Sequence, residues 1–241
     1  MATLPVPLAP PITSADADRP WLDACSSVLA LFLPVECVGC GASDRALCRR
    51  CRRTLDALPG RTRLVGGVRL DAAHEYDGLV RTLVLEWKLR GRVDVVRDLT
   101  GRTATLVRAA LAAAPDGAVV LRVPPSVRGH RQRGFDPVVT VLRRAGVRRS
   151  RTLRRVAPPI GTAPPGNLPG GTTGHGQKER NALERVAATV GTLVAEDVAG
   201  RDVVLVDDVV TTGVTMAEAV RAVRAAGGRV VRCVAVATVE V

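Results

Sequence analysis

Apolar positions recur at helical spacing from Leu79 to Leu89, where Leu79, Leu83 and Trp87 share one face and Val80 and Val84 lie beside them. A second helix is predicted over Val95 to Ala114, closed by Pro115, and a third over Phe135 to Ala145, broken by Gly146. Short continuous apolar runs predict buried strands at Ala118–Val123, stopped by Pro124-Pro125, at Asp202–Val206 and at Arg229–Val239. Between the last two, Thr215–Ala226 reads as a helix ended by Gly227-Gly228. A strand, a helix and a strand of these lengths imply a right-handed parallel crossover, hence an α/β fold. No internal repeat is present.

The remaining stretches lack this patterning. Residues 1–20 hold five prolines and little periodicity, which predicts a disordered tail. A short apolar segment, Trp21–Val35, leads into a cysteine cluster, and a globular composition begins at about Leu64. Residues 157–176 contain five prolines and six glycines, so they read as a loop long enough to be functional or a linker.

Composition sharpens the picture. The chain has 241 residues, of which 46% are hydrophobic, enough for a packed core. Only five are aromatic, so the core is aliphatic and no row of stacking rings exists to read single-stranded bases. No run approaches the roughly 20 apolar residues of a membrane span, so no membrane insertion is expected. The first 18 residues carry no Lys or Arg, unlike a signal peptide, and a cytoplasmic location is expected.

Lys and Arg total 35 against 23 Asp and Glu, a formal charge of +12. Residues 121–155 hold 11 arginines and one acid, Asp136, and so supply +10 of it. Arg128, Arg131 and Arg133 fall on the loop after the 118–123 strand, where guanidinium–phosphate pairing is natural. Arg143, Arg144, Arg148, Arg149, Arg151, Arg154 and Arg155 read as an outer surface, either a solvated face or a contact for a nucleic-acid backbone. His74 and His175 lack catalytic neighbours in sequence.

Cys37-Val-Gly-Cys40 and Cys48-Arg-Arg-Cys51 are two C-x-x-C pairs. Each presents two thiolates from one tight turn, and together they suit a tetrahedral zinc site; a disulfide pair or unbound thiols is the competing reading. Four protein ligands leave no open position, which makes the expected Zn²⁺ structural. Cys25 and Cys233 have no partner at ligand spacing and read as small buried hydrophobes.

The most informative segment runs from Val203 to Thr215, VVLVDDVVTTGVT. A mostly β-branched strand delivers Asp207 and Asp208 to its C-terminal edge, where open α/β sheets bind ligands. The hydroxyls of Thr211, Thr212 and Thr215, the backbone amides of the turn and a helix N-terminus would cradle a phosphate, and Gly213 lets the backbone approach it. Carboxylates beside a phosphate site imply sugar hydroxyls or a cation such as Mg²⁺. The plainer alternative is a strand ending in solvated acids before a capped helix. No G-x-x-x-x-G-K-[ST] motif occurs, which argues against a P-loop NTPase.

This segment resembles the phosphoribosyl pyrophosphate (PRPP) loop of the type I phosphoribosyltransferases. The cysteine pairs, Tyr76-Asp-Gly followed by Lys88, Val123-Pro-Pro-Ser126, Arg133-Gly-Phe135, and Gln177 with Arg180-Asn181 narrow the resemblance to the ComF family, over roughly Trp21 to Val241. It implies an open, mainly parallel sheet with flanking helices plus a small N-terminal four-cysteine zinc-ribbon-like module. The implied organisation is a tail at 1–20, a zinc-binding module at 21–60 and a phosphoribosyltransferase-like domain at 61–241.

By the same resemblance, Asp207 and Asp208 hold the ribose 2- and 3-hydroxyls, and Thr211, Thr212, Gly213, Val214 and Thr215 wrap the 5-phosphate. Lys88, Arg128, Arg131, Arg133 and Arg180 flank the pyrophosphate, Mg²⁺ accompanies PRPP, and the 157–181 loop covers the site. Asp136 departs from the family, which commonly shows Asn after Arg-Gly-Phe. The implied activity is phosphoribosyl transfer to an acceptor with release of pyrophosphate. The alternative is an accessory protein of DNA uptake in natural competence, binding single-stranded DNA or a helicase partner.

Overall fold

The computed structural model describes residues 35–43, 45–125, 134–156 and 189–239. The predicted 1–20 tail, the 157–176 loop, Cys25, His175, Arg128, Arg131, Arg133 and Arg180 lie outside these residues. The chain divides into two units, Met1–Cys48 and Arg49–Val241.

The described part of the first unit is a tight turn. Cys37 N–H donates to the Ala42 carbonyl (2.8 Å), Gly41 N–H to the Cys37 carbonyl (2.8 Å) and Val38 N–H to the Ala46 carbonyl (3.0 Å). Gly41 sits at φ +75°, a left-handed position at which a side chain would be strained.

The second unit opens with helix α1 (Arg49–Ala57), which buries Cys51 and Leu55. Strands β1 (Arg61–Val65) and β2 (Val68–Glu75) follow as an antiparallel hairpin. Its turn is Gly66-Gly67, with φ of +59° and +75°, the backbone that a two-residue hairpin loop requires. The sequence Val65-Gly-Gly-Val68 encodes this turn locally.

Helix α2 (Gly78–Arg90) buries Leu83 and Trp87 of the predicted face together with Val80 and Val84, leaves Leu79 half-buried, and stops at Gly91 in the left-handed region. A 3₁₀ turn (Val93–Val95) leads into α3 (Val96–Ala112), and β3 (Val119–Arg122) precedes α4 (Pro137–Arg144). Short strands β4 (Arg151–Thr152), β5 (Arg154–Arg155) and β6 (Leu193–Val194) come next. The unit closes with β7 (Asp202–Val210), α5 (Val214–Ala225) and β8 (Arg229–Thr238).

The main sheet has the order β1-β2-β8-β7-β3-β4, parallel everywhere except for the β1–β2 pair; β5 and β6 form a separate antiparallel pair. The expected β7–α5–β8 parallel crossover is present. Val203, Val204, Leu205 and Val206 are all buried, which is what a central parallel strand covered on both faces demands. Leu205, Cys233 and Ala235 pack with Met216, Ala219, Val220 and Val223 of α5. Helix α3 packs along β8, β2 and β7. With so few rings available, Val, Leu and Ala fill this core, and its volume is met by many small contacts. His74 is a core residue, pushed down to about 4 by burial and by the nearby Arg102 charge, and so is neutral at pH 7.

Candidate active site

Strand β7 runs four residues beyond the predicted end at Val206, because Asp207, Val209 and Val210 continue to pair with Ala235, Ala237 and Thr238 of β8. On its other side the pairing stops. Strand β3 matches β7 as far as Arg122↔Val206, and Val123 N–H still reaches the Val206 carbonyl at 3.0 Å. Pro124 and Pro125 then have no N–H to offer, so the ladder cannot continue. The flank of β7 beside Asp207 and Asp208 is left open, and a cleft of about 270 Å³ occupies it.

The cleft gathers Asp207, Asp208 and the whole Thr211–Thr215 loop. Asp208 N–H donates to Asp207 Oδ1 (2.7 Å), and Val209 N–H donates to Asp208 Oδ1 (2.6 Å). Lys88 Nζ lies 2.8 Å from Asp208 Oδ2. The family resemblance implies a place for Lys88 beside a pyrophosphate; here it is the counter-ion of the second aspartate. Burial, followed by the Asp208 charge, pushes the Asp207 carboxyl well above the usual carboxylate range.

The loop between β7 and α5 is held from beneath. Arg63 Nη2 donates to the Thr211 carbonyl (2.6 Å) and to the Val210 carbonyl (3.3 Å). Thr238 Oγ1 also donates to the Val210 carbonyl (2.8 Å). These bonds satisfy the Val210 and Thr211 carbonyls and brace the start of the loop. Gly213 is the N-cap of α5 at φ +84° and has no side chain to occupy the helix end. A Cβ there would lie 3.3 Å from Val65 Cγ1. The helix N-terminus, with its partial positive charge, lies at the cleft with only a long bond from Val214 N–H to Thr212 Oγ1 (3.5 Å) at its first turn, an arrangement suited to an anion.

Arg155 corrects the outer-surface expectation. Its Nη2 and Nε donate to the carbonyls of Pro124 (2.9 Å) and Pro125 (3.2 Å), and it lines the cleft. Arg151 and Arg154 do lie outside, paired with Asp197 (3.1 Å) and Glu196 (2.9 Å). Neither Arg63 nor Arg155 carried a signal of this role in the sequence, since each acts on a segment far from it along the chain.

Asp136, the departure from the family pattern, is engaged on both oxygens. Its Oδ1 accepts from Val138 N–H at 3.0 Å and caps α4, and its Oδ2 is ion-paired with Arg122 Nη1. The neighbouring Phe135 packs against Trp87, with ring centroids 6.3 Å apart, next along α2 from Lys88.

The sulfurs of Cys37, Cys40, Cys48 and Cys51 all lie within 4.8 Å of one another. Thiolates bound at about 2.3 Å to a tetrahedral zinc stand about 3.8 Å apart, and Cys40 Sγ and Cys48 Sγ are 3.6 Å apart. Cys48 N–H donates to Cys37 Sγ at 3.3 Å. Burial opposes ionisation of Cys37, but the backbone N–H groups of Cys48, Cys40 and Gly39 outweigh it and bring the thiol down to about 6. Four soft donors, one of them readily ionised, fit a metal such as zinc. Cys233 contrasts with them: fully buried, it is pushed up to about 12 and is inert packing.

Among the described residues, no helix is long and apolar enough to cross a membrane. No match was found among curated proteins. A solved structure, adenine phosphoribosyltransferase from Rhodothermus marinus, is similar at 18% identity over 76% of this chain and 84% of that one, with a TM-score of 0.31. The model of the phosphoribosyl transferase domain matches residues 128–240. Lys88, which lines the cleft, and Arg63, which holds its loop, lie outside that stretch. The acid pair, the threonine loop and the helix it opens lie within it, and the phosphoribosyl transferase domain is the family likeness this chain carries.

Proposed function

We propose that this protein binds PRPP in the β7–α5 cleft and transfers its phosphoribosyl group to an acceptor, releasing pyrophosphate. The observation that carries the reading is the sequence of groups along one open strand edge: two carboxylates, then a braced threonine loop, then a helix N-terminus whose N-cap is glycine. Asp207 and Asp208 suit sugar hydroxyls, which donate to carboxylates. The Thr211–Thr215 loop and the start of α5 suit a terminal phosphate. Lys88 and Arg155, with Arg128, Arg131, Arg133 and Arg180 from outside the described residues, supply cations for a pyrophosphate. Hard oxygen donors beside phosphates fit Mg²⁺, which would neutralise the leaving group.

Catalysis in this reading is chiefly positioning and charge stabilisation. The chain's own residues hold the ribose and the departing phosphates while the acceptor approaches the anomeric carbon. The four-cysteine cluster is a structural zinc site in the same proposal, and the ComF family is its finer assignment.

Titration with PRPP and Mg²⁺, followed by calorimetry, tests the reading. Saturable binding that disappears in the Asp207→Asn, Asp208→Asn double variant is expected. A wild-type protein that takes up no PRPP at millimolar concentration would overturn it. With binding in hand, pyrophosphate release in the presence of candidate acceptors distinguishes a transferase from a binding protein.

A further inference from the structure

The first strands and α3 enclose a second cleft, of about 450 Å³, that shares no lining residue with the first. Four guanidinium groups border it: Arg61, Arg69, Arg102 and Arg232. The single carboxylate among its walls is Asp71. That carboxylate is already divided: Oδ1 accepts from Thr62 Oγ1 (2.9 Å) and Arg69 Nε (2.9 Å), and Oδ2 from Arg232 Nη1 (3.3 Å). Arg61 is paired with Glu75 at 2.5 Å. Counting Glu75 as well, four permanent cations meet two anions, a surplus of +2 concentrated around one cavity. Guanidinium groups cannot shed their protons to relieve it.

The chain makes room for one of these cations. A Cβ on Gly60 would lie 3.2 Å from Arg102 Nη2 and 3.1 Å from the Ala72 carbonyl, so glycine there allows the Arg102 guanidinium to sit at the mouth. Arg102 Nη1 is anchored by the Leu58 carbonyl at 2.5 Å, which fixes the group and leaves the rest of its planar donor fork for other acceptors. The apolar part of the lining is formed by Leu106, Ala109 and Ala110 of α3 and by Ala113 just past its end. Small side chains at these positions leave space for a planar group. A cationic mouth beside an alanine-lined wall, in a volume ordinary for small-ligand sites, calls for an anionic head joined to a flat apolar body.

We infer that this second cleft binds a nucleoside phosphate, its phosphate held by Arg69, Arg102 and Arg232 and its base laid against the alanine wall of α3. The inference stands independently of the PRPP reading. Calorimetry with adenosine 5′-monophosphate as the probe tests it, on wild-type protein and on three variants. Asp207→Asn with Asp208→Asn disables the first cleft and is expected to leave this binding within about threefold. Arg232→Gln is expected to weaken it at least about tenfold, the usual worth of a charge-assisted phosphate contact.

Arg69→Gln, at an exposed strand position, gives a second variant whose folding is not at issue and whose expected loss is similar. Adenosine without its phosphate is expected to bind at least about tenfold more weakly than the monophosphate. Protection from hydrogen exchange on binding should fall on 61–72 and 102–113. Failure of the monophosphate to bind, binding unaffected by Arg69→Gln, or loss confined to the acid-pair variant would each overturn the inference.

Discussion

Lys88 Nζ stands 2.8 Å from Asp208 Oδ2, and both side chains are mostly withdrawn from water. This contact allows two adjacent carboxylates to persist at the end of an apolar strand, because one ammonium offsets one of the two charges. It also ties α2, which lies outside the matched domain stretch, to the strand edge that carries the candidate chemistry.

Breaking this pair should expose its worth. Lys88→Met is expected to lower stability by roughly 2 kcal/mol, because it strands a partly buried carboxylate beside another. Adding Asp208→Asn to the same chain should restore most of the loss. Urea melts of the four members of the cycle measure the coupling, and strict additivity would show that the pair contributes nothing.

Asp207 gives the stability of the protein a pH signature. Its folded-state pKa is raised, first by burial and then by Asp208. As pH climbs above the ordinary carboxylate value, ~4, the unfolded chain releases this proton while the folded one retains it, so folding loses stability until the folded group also ionises. Asp207→Asn keeps the oxygen that accepts from Asp208 N–H and removes the penalty. The variant should melt with wild type near pH 4 and above it at pH 8, by about 2–4 °C for each 1 kcal/mol relieved. Identical melting curves at pH 8 would contradict the raised pKa. The same variant should lose PRPP binding.

Gly213 and Gly146 separate backbone strain from site geometry. Both have strongly positive φ, +84° and +81°, but an added Cβ meets Val65 only at Gly213 and open space at Gly146. Each Ala substitution is expected to cost about 1–2 kcal/mol from the left-handed backbone alone. Only Gly213→Ala should also weaken PRPP binding, measured by calorimetry, because it displaces the loop at the start of α5.

Asp136 holds both the start of α4 and the Arg122 guanidinium. Asp136→Asn retains an acceptor for Val138 N–H and is expected to cost less than about 1 kcal/mol. Asp136→Ala removes the cap and the ion pair together and should cost roughly 2–3 kcal/mol. Chemical denaturation of both variants decides the matter: equal losses would show that the cap is without effect.

The cysteine cluster predicts about one zinc per chain in protein purified without chelators. Cys40→Ser should release the metal and lower the melting temperature, and elemental analysis alongside a thermal melt checks both. Metal-free protein with an unchanged melt would remove the structural role.

What was legible in the sequence is local. The four cysteines fall within 15 residues, from Cys37 to Cys51, so short turns alone bring their sulfurs together. The β7–α5 segment likewise encodes its own acid pair, loop and helix start, because a β-branched run, a glycine and the following helical periodicity each fix the nearby backbone. Tertiary structure decided everything that reaches this segment from elsewhere. Arg63 and Arg155 are ordinary surface-type residues in sequence, and sheet order and helix packing alone bring Arg155 to the cleft and Arg63 to the carbonyls of its loop. The open flank of β7 was decided the same way: the prolines that follow β3 end a ladder whose partner strand lies some 80 residues later in the chain, and no local pattern records which strand will be the neighbour. Short-range backbone preferences can be read along a chain, whereas the pairing of distant segments depends on how all the apolar faces are buried at once.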